Sequence, residues 1–238
     1  MLSFRNSAHM SESLPKPLNI SDRTSSDRTK RKVSKKAAPV RIFQKDWMEA
    51  FTLISFRTFL IFCIFSEVIS LIITFNYEPN FCVGVVLFLA GIFLWIITEY
   101  FLHRFLFHLS SENKSIKRLV YIFHGNHHIQ PNHPYRTLMP IIVTLPAGLI
   151  IWAIFSYSLG TGMGSALFSG FFIGYTLYDC IHFSTHNFKM TKFPFSLWKR
   201  HHLLHHYKDE SHNYSISFPW LDSIFKTRFV SGTTKKKR

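Results

Sequence analysis

Polar and apolar positions divide the chain into sharply different stretches. The first 46 residues are polar, and the run 21–32 is built almost wholly of Ser, Thr, Asp, Arg and Lys. Such a stretch cannot bury enough apolar area to order itself. Four apolar runs follow, at 53–75, 81–101, 139–159 and 163–181. Each is close to the ~20 residues that cross a bilayer as a helix. The short turns 76–80 and 160–162 join the runs in pairs, and neither contains Lys or Arg. The amino-terminal tail, the 102–137 loop and the segment after 181 hold nearly all the basic residues. The bias of basic residues toward cytosolic loops therefore places those three segments together on the cytosolic side. The pattern predicts an all-α integral membrane protein, with four transmembrane helices beneath a cytosolic helical cap. Its divisions are a disordered basic tail over 1–46, a membrane domain over 47–230 and a second basic tail over 231–238.

Composition supports this picture and narrows the partners. Hydrophobic residues make up 47% of the 238 and charged ones 17%, with 26 Phe, against about 25% charged in an ordinary soluble domain. A net charge of +15 suits either nucleic acid or a membrane surface. The apolar content selects the membrane, and no nucleic-acid partner is expected. Arg57, near the end of the first run, can snorkel to the interface, while Glu67 must face protein, water or a partner. Cys63, Cys82 and Cys180 are widely spaced in apolar runs and suggest no disulfide framework. No apolar core follows the first few residues, so a cleavable signal peptide is not expected.

Histidine changes the picture from architecture to chemistry. Of 14 histidines, all but His9 lie between 103 and 212. Four clusters stand out: His103 with His108, an HxxxxH; His124, His127 and His128, an HxxHH; His182 with His186, an HxxxH; and His202, His205 and His206, a second HxxHH preceded by His201. On a helix at about 100° per residue, positions i, i+3 and i+4 share one face. An HxxHH therefore aims its imidazoles into one space, and His182 and His186 lie about 40° apart. His103 and His108 would be about 140° apart on an ideal helix, so that pair is expected where the second span ends or bends. One metal takes four to six ligands, and ten imidazoles point to two metals. Neutral imidazole suits iron, zinc, copper and nickel. His9, His133 and His212 fall outside the pattern and are read as surface or loop residues, and His201 is ambiguous. Glu99, Asn126 and Asp179 sit near the clusters and are candidates to receive the outer N–H of a ligating ring.

These residues resemble a known family. Glu99 to His108, with the interior Arg104-Phe105-Leu106-Phe107, is similar to the first histidine box of the membrane fatty-acid hydroxylase superfamily, and within it of the fatty acid 2-hydroxylases. His124-Gly125-Asn126-His127-His128 resembles that family's HGxHH box. Gly174 to His182, followed by His186, resembles its GYxxYDxxHxxxH segment, and His201 to His206 keeps its HHxxHH. Arg41-Ile42-Phe43, Asp46 and Glu49 resemble its approach to the first span. The resemblance spans roughly 39–230. The chain departs from the family at Gln130–Tyr135, and at 213–217, where relatives often carry glycines. It has no HPGG haem motif of the kind found in the amino-terminal cytochrome b5 domain of many relatives.

The resemblance implies five ligands per metal: His103, His108, His124, His128 and His205 on one, and His127, His182, His186, His202 and His206 on the other. It implies dioxygen-dependent 2-hydroxylation of fatty acyl chains, free or as the N-acyl chain of ceramide, drawn from membrane lipid. Zinc has no redox chemistry, so iron is expected in the working enzyme, with zinc possible in isolated protein. Electrons are expected from a separate cytochrome b5 and its NADH-dependent reductase. The alternatives are another histidine-box lipid oxidase, such as a sterol oxidase or acyl desaturase, and a metal transporter. Lys235 and Lys236, fourth and third from the end, match a dilysine retrieval signal. Residence in the endoplasmic reticulum membrane with both termini cytosolic is therefore expected.

Overall fold

The computed structural model describes residues 38–78 and 80–230. The tail through residue 37, Pro79 and the carboxyl-terminal 231–238, with its dilysine signal, lie outside the described residues. The described part is helical, with no strand. A short helix α1 (Asp46–Ala50) precedes α2 (Phe56–Tyr77), and α3 (Phe81–Phe101) runs directly into a π-helical segment, Leu102–Phe107. In the next segment α4 (Lys114–Val120), a second π-helical stretch (Tyr121–Gly125) and α5 (Asn126–Ile129) are continuous. Then come α6 (Ile141–Leu159), α7 (Thr161–Asn187), α8 (Phe195–Tyr207) and α9 (Trp220–Ile224).

Local signals mark where the long helices begin. Ser55 caps α2 by accepting the Thr58 N–H at 3.0 Å. Asn80 caps α3 by accepting from Cys82 and Val83 at 3.1 and 3.2 Å. Each cap satisfies amides that have no partner within their own helix.

Among the described residues, three helices are long and apolar enough to cross a membrane: Phe56–Tyr77, Phe81–Phe107 and Ile141–Leu159. The fourth apolar run, expected as a span at 163–181, lies in α7, which has the length, 27 residues, but not the apolar composition of the other three. The reason is its position. α7 packs against α2, α3 and α6, so most of its surface meets protein rather than lipid. Ser165, Ser169 and Gly170 are buried there. Ser169 donates to the Ser70 hydroxyl of α2 at 2.8 Å, and Ser70 donates to the Ser165 carbonyl at 3.3 Å. Small and polar residues at a helix–helix contact let backbones approach and hydrogen-bond across it.

Aromatic rings fill the rest of the bundle. Trp95 of α3 meets Phe171 and Tyr175 of α7 edge-on, with ring centroids 5.1 and 5.3 Å apart. Ile42, in the polar stretch before the first apolar run, is buried. Glu49 accepts the amides of Ile42 and Phe43 at 2.9 and 2.8 Å and pairs with the buried Arg136. Arg136 also donates to the Thr52 hydroxyl at 2.8 Å. This buried pair ties residues 42–52 to the stretch leading into α6.

The α3–α7 contact is the tightest in the bundle. A Cβ on Gly170 would lie 1.7 Å from the Phe88 carbonyl oxygen, and one on Gly91 would lie 2.1 Å from that of Leu167. Both obstacles are backbone, so neither can swing aside. Gly170→Ala should force the helices apart and cost about 1–3 kcal/mol, the usual penalty of overpacking, read as a lower Tm in detergent. Gly84→Ala, whose Cβ meets nothing within 4 Å, is the control. Equal Tm values for the two variants would contradict this packing.

Candidate metal centre

The bundle delivers the histidines to one end, and the local helix type decides how they face. His103 and His108 are five residues apart, a spacing that suits a π-helix, whose i→i+5 bonding stacks such residues over one another. The segment Leu102–Phe107 is π-helical, and the two Nε2 atoms lie 3.2 Å apart. The pair thus sits where the second span ends, one of the two placements expected from its spacing. His182 and His186 need no such device, being one turn apart near the end of α7.

The two HxxHH boxes behave differently from a simple three-ring cluster. Each sends its i, i+4 pair one way and its i+3 ring the other. His124 and His128 face His103, His108 and His205, while His127 faces His182, His186, His202 and His206. In α8 the pair His202 and His206 joins the latter group and His205 the former. The ten histidines thus form two groups of five, with donor atoms within 4.8 Å of one another in each. The membership is the same as in the two sets implied by the family resemblance. The groups adjoin, with the His128 and His206 rings stacked 4.1 Å apart.

The donor atoms are arranged as a metal requires. In the first group, Nε2 contacts of 3.0 Å (His103–His124), 2.9 Å (His124–His128) and 3.0 Å (His108–His205) close around one point. In the second, contacts are 2.9 Å (His127–His182), 3.1 Å (His127–His206), 3.0 Å (His202–His206) and 2.9 Å (His186–His202). Two nitrogens at right angles on one ion, each bonded at ~2.1 Å, lie about 3.0 Å apart. One Nε2 meeting two others cannot donate to both. The Nδ1 of His103 faces the Tyr214 carbonyl, and that of His205 faces the His212 carbonyl at 2.8 Å. A carbonyl only accepts, so both rings hold their proton on Nδ1 and present a bare Nε2 inward. The residues fit a pair of metal ions.

Burial keeps several of these rings neutral. Desolvation first, and neighbouring imidazoles second, hold His124, His127, His202, His205 and His206 below the ordinary imidazole value. The same two causes lower His108 to about 4. A neutral ring is the form that binds metal.

Of the carboxylates and amide singled out in the sequence, Asp179 faces a grouped ring, while Glu99 and Asn126 have other partners. Glu99 is buried and accepts the amides of Ile216 and Ser217 at 2.6 and 2.9 Å. Asn126 donates to the carbonyls of Tyr121 and Ile122, both at 2.9 Å, where the π-helical turn gives way to α5. Asp179 comes within 3.9 Å of His182 Nδ1, and it accepts from the Tyr175 hydroxyl at 3.0 Å and the Met139 amide at 3.2 Å. His201 turns away from both groups and pairs with the buried Asp222 at 2.9 Å. His212 pairs with Asp209 at 2.9 Å, and the His133 carbonyl accepts the Arg136 amide at 3.0 Å. Asp222 carries no sequence signal of its own, since it belongs to no spaced box and its contacts run to irregular backbone at Tyr214 and Ser215.

A cavity of about 310 Å³ adjoins the centre, walled by α3, α6 and α7 and lined by Trp95, Thr144, Ala147, Phe171 and other largely apolar residues. Its rim residues Phe107, Phe123, Met139 and Tyr178 also line a small space bounded by His124, His127, His182 and Asp179.

Residues 88–227 match the model of a family described as fatty acid hydroxylase. The chain belongs to the fatty acid hydroxylase family. All ten grouped histidines fall inside the matched segment. The chain is 36% identical over 155 residues to the ceramide very long chain fatty acid hydroxylase scs7 of Schizosaccharomyces pombe, covering 62% of this chain and 43% of that protein. It is 29% identical over 137 residues to a dihydroceramide fatty acyl 2-hydroxylase of Arabidopsis thaliana, covering 58% of each. It is 34% identical over 148 residues to the fatty acid 2-hydroxylase of Homo sapiens, covering 59% of this chain and 39% of that one. The chain spans about half the length of the curated relatives it matches. A solved structure, full-length scs7p with only its hydroxylase domain visible, superposes with a TM-score of 0.74 at 27% identity, covering 80% of this chain and 73% of that one. The all-helical hydroxylase fold is therefore shared.

Acid should destabilise the metal-free protein. The lowered histidines stay neutral in the folded state, while the unfolded chain takes up protons below about 6.5. The unfolded state then binds more protons, so stability falls as pH drops. The Tm of metal-free protein should decline steadily from pH 7 to pH 5, and a flat profile would contradict the buried neutral assignment.

Proposed function

We propose that this chain hydroxylates carbon 2 of a fatty acyl chain, free or carried as the N-acyl chain of ceramide. The observation that carries the reading is the placement of two five-imidazole groups beside an apolar cavity of about 310 Å³, linked to it through Phe107, Phe123, Met139 and Tyr178. His103, His108, His124, His128 and His205 would hold one ion, and His127, His182, His186, His202 and His206 the other. The all-imidazole donor set suits iron and zinc alike, and the redox requirement selects iron for the working enzyme. Bound there, the metals supply activation of dioxygen. In the overall reaction an acyl chain, dioxygen, two electrons and two protons give the 2-hydroxyacyl chain and one water.

The chain's own residues bind, orient and exclude water. Trp95, Phe171 and Ala147 line the cavity that takes the alkyl tail. Phe107, Phe123, Met139 and Tyr178 form the neck between that cavity and the imidazoles, keeping bulk water from the carbon beside the carbonyl. The carboxyl or amide end then lies toward the cytosolic cap. The relatives named for fatty acid and ceramide hydroxylation favour this substrate over a sterol or a desaturation reaction. A cytochrome b5 and its NADH-dependent reductase are the proposed electron source. The net charge of +15 suits an acidic donor.

Cells expressing the wild type should accumulate 2-hydroxy acyl lipid by mass spectrometry, and purified protein should hold two metal ions per chain. His127→Ala and His205→Ala should each abolish the hydroxylated product and lower bound metal, whereas His9→Ala should change neither. Product formation by both ligand variants at the wild-type level would overturn the assignment.

We place the protein in the endoplasmic reticulum membrane with both termini cytosolic, on the basic-residue bias of its loops and on Lys235 and Lys236. A carboxyl-terminal tag should be digested by protease added to sealed microsomes. A shielded tag would reverse the topology.

A further inference from the structure

The two imidazole groups are not held alike. In the first, backbone carbonyls of the segment 212–217 orient two rings: Tyr214 O accepts from His103 Nδ1, and His212 O from His205 Nδ1 at 2.8 Å. In the second, the Nδ1 atoms of all five rings, like that of His128 in the first, are buried with no hydrogen-bond partner among the described residues. The strap formed by 212–217 therefore orients two rings of the first group and none of the second.

That strap is irregular backbone, so something other than a helix must aim its carbonyls. Two buried carboxylates do so by holding four successive amides. Asp222 accepts the N–H of Tyr214 at 2.8 Å and of Ser215 at 2.9 Å. Glu99 accepts those of Ile216 and Ser217. Asp222 is itself fully buried and is fixed from two further sides, by the Thr227 hydroxyl at 2.7 Å and by His201 Nε2 at 2.9 Å. Asn213, in a left-handed conformation with φ of 59°, turns the chain into the strap and donates to the His201 carbonyl at 3.0 Å. Hydrogen bonds from amides to a buried carboxylate are charge-assisted and short, which makes Asp222 the fixed point of the arrangement.

We propose that Asp222 is a positioning residue for the first metal site alone, acting on His103 and His205 through the backbone of the strap. This rests on the reading that the two groups bind metal. Loss of a partner that orients a ligating imidazole weakens metal affinity by about 10–100-fold. The expected signature is therefore that one of the two ions becomes labile while the other stays.

The test uses the full chain in detergent, equilibrated with zinc buffered at a series of free concentrations, with zinc per chain counted by mass spectrometry. Asp222→Asn preserves size but replaces one accepting oxygen with a donor. It should leave one zinc bound at wild-type affinity and shift the other by about 10–100-fold. In a His186→Ala background, where the second group is broken, Asp222→Asn should remove the remaining tight zinc. In a His205→Ala background it should have no further effect. A merely structural role would weaken both ions together, and that result, unchanged binding or the reverse background dependence would overturn the proposal. Thr227→Val removes one of the bonds to the carboxylate and should show the same site selectivity in smaller measure. If Asp222→Asn does not fold, this variant decides, and weakening of both ions or of neither overturns the proposal. A wild type that binds no zinc and no iron would instead defeat the metal-binding reading itself.

Discussion

Ten imidazoles crowd together at one end of a helical bundle, most of them buried, and the rest of the structure depends on accommodating them. A ring protonated there would carry its charge without water and against several neighbours of the same kind. A ring that is to bind a metal must therefore be neutral, dry and turned so that a lone pair faces inward. Desolvation secures the first two conditions. The third is met by geometry: a π-helical turn for the five-residue spacing, ordinary helical turns for the four-residue spacings, and carbonyls on the outer nitrogens of His103 and His205.

The two HxxHH boxes interlace the groups. Neither group belongs to a single helix, because the segment 124–128 and the helix α8 each contribute to both. The first group joins residues separated by about a hundred positions, from His103 to His205. An ion bound by such a set closes long loops, and the entropy of closure rises only slowly with their length.

Much of this was legible in the sequence because its signals are local. Apolar runs of about twenty residues declared three of the long helices, and the spacing within each box declared which rings share a helical face. The fourth run was harder, because hydropathy reads a helix by what surrounds it. α7 is surrounded by protein, and its buried serines and glycines dilute the apolar signal. Glu99 drew notice for lying one turn before His103, yet its carboxylate serves amides at 216 and 217. Asp222 drew none, since an aspartate beside a Trp-Leu pair has no pattern around it. These contacts join positions more than a hundred residues apart or depend on irregular backbone, and spacing within a short window cannot express them.

The glycine contact between α3 and α7 has a mechanical meaning. α3 runs into the segment bearing His103 and His108, and α7 ends in His182 and His186, which belong to the other group. Gly91 is twelve residues from His103 and Gly170 twelve from His182, or about 18 Å of helix in each case. Two stiff rods touching at that depth act as a caliper, with the backbone contact as its pivot and the imidazoles at its jaws. The gap between the two halves of the centre is thus gauged by atoms buried within the membrane, far from any ring that sets the chemistry.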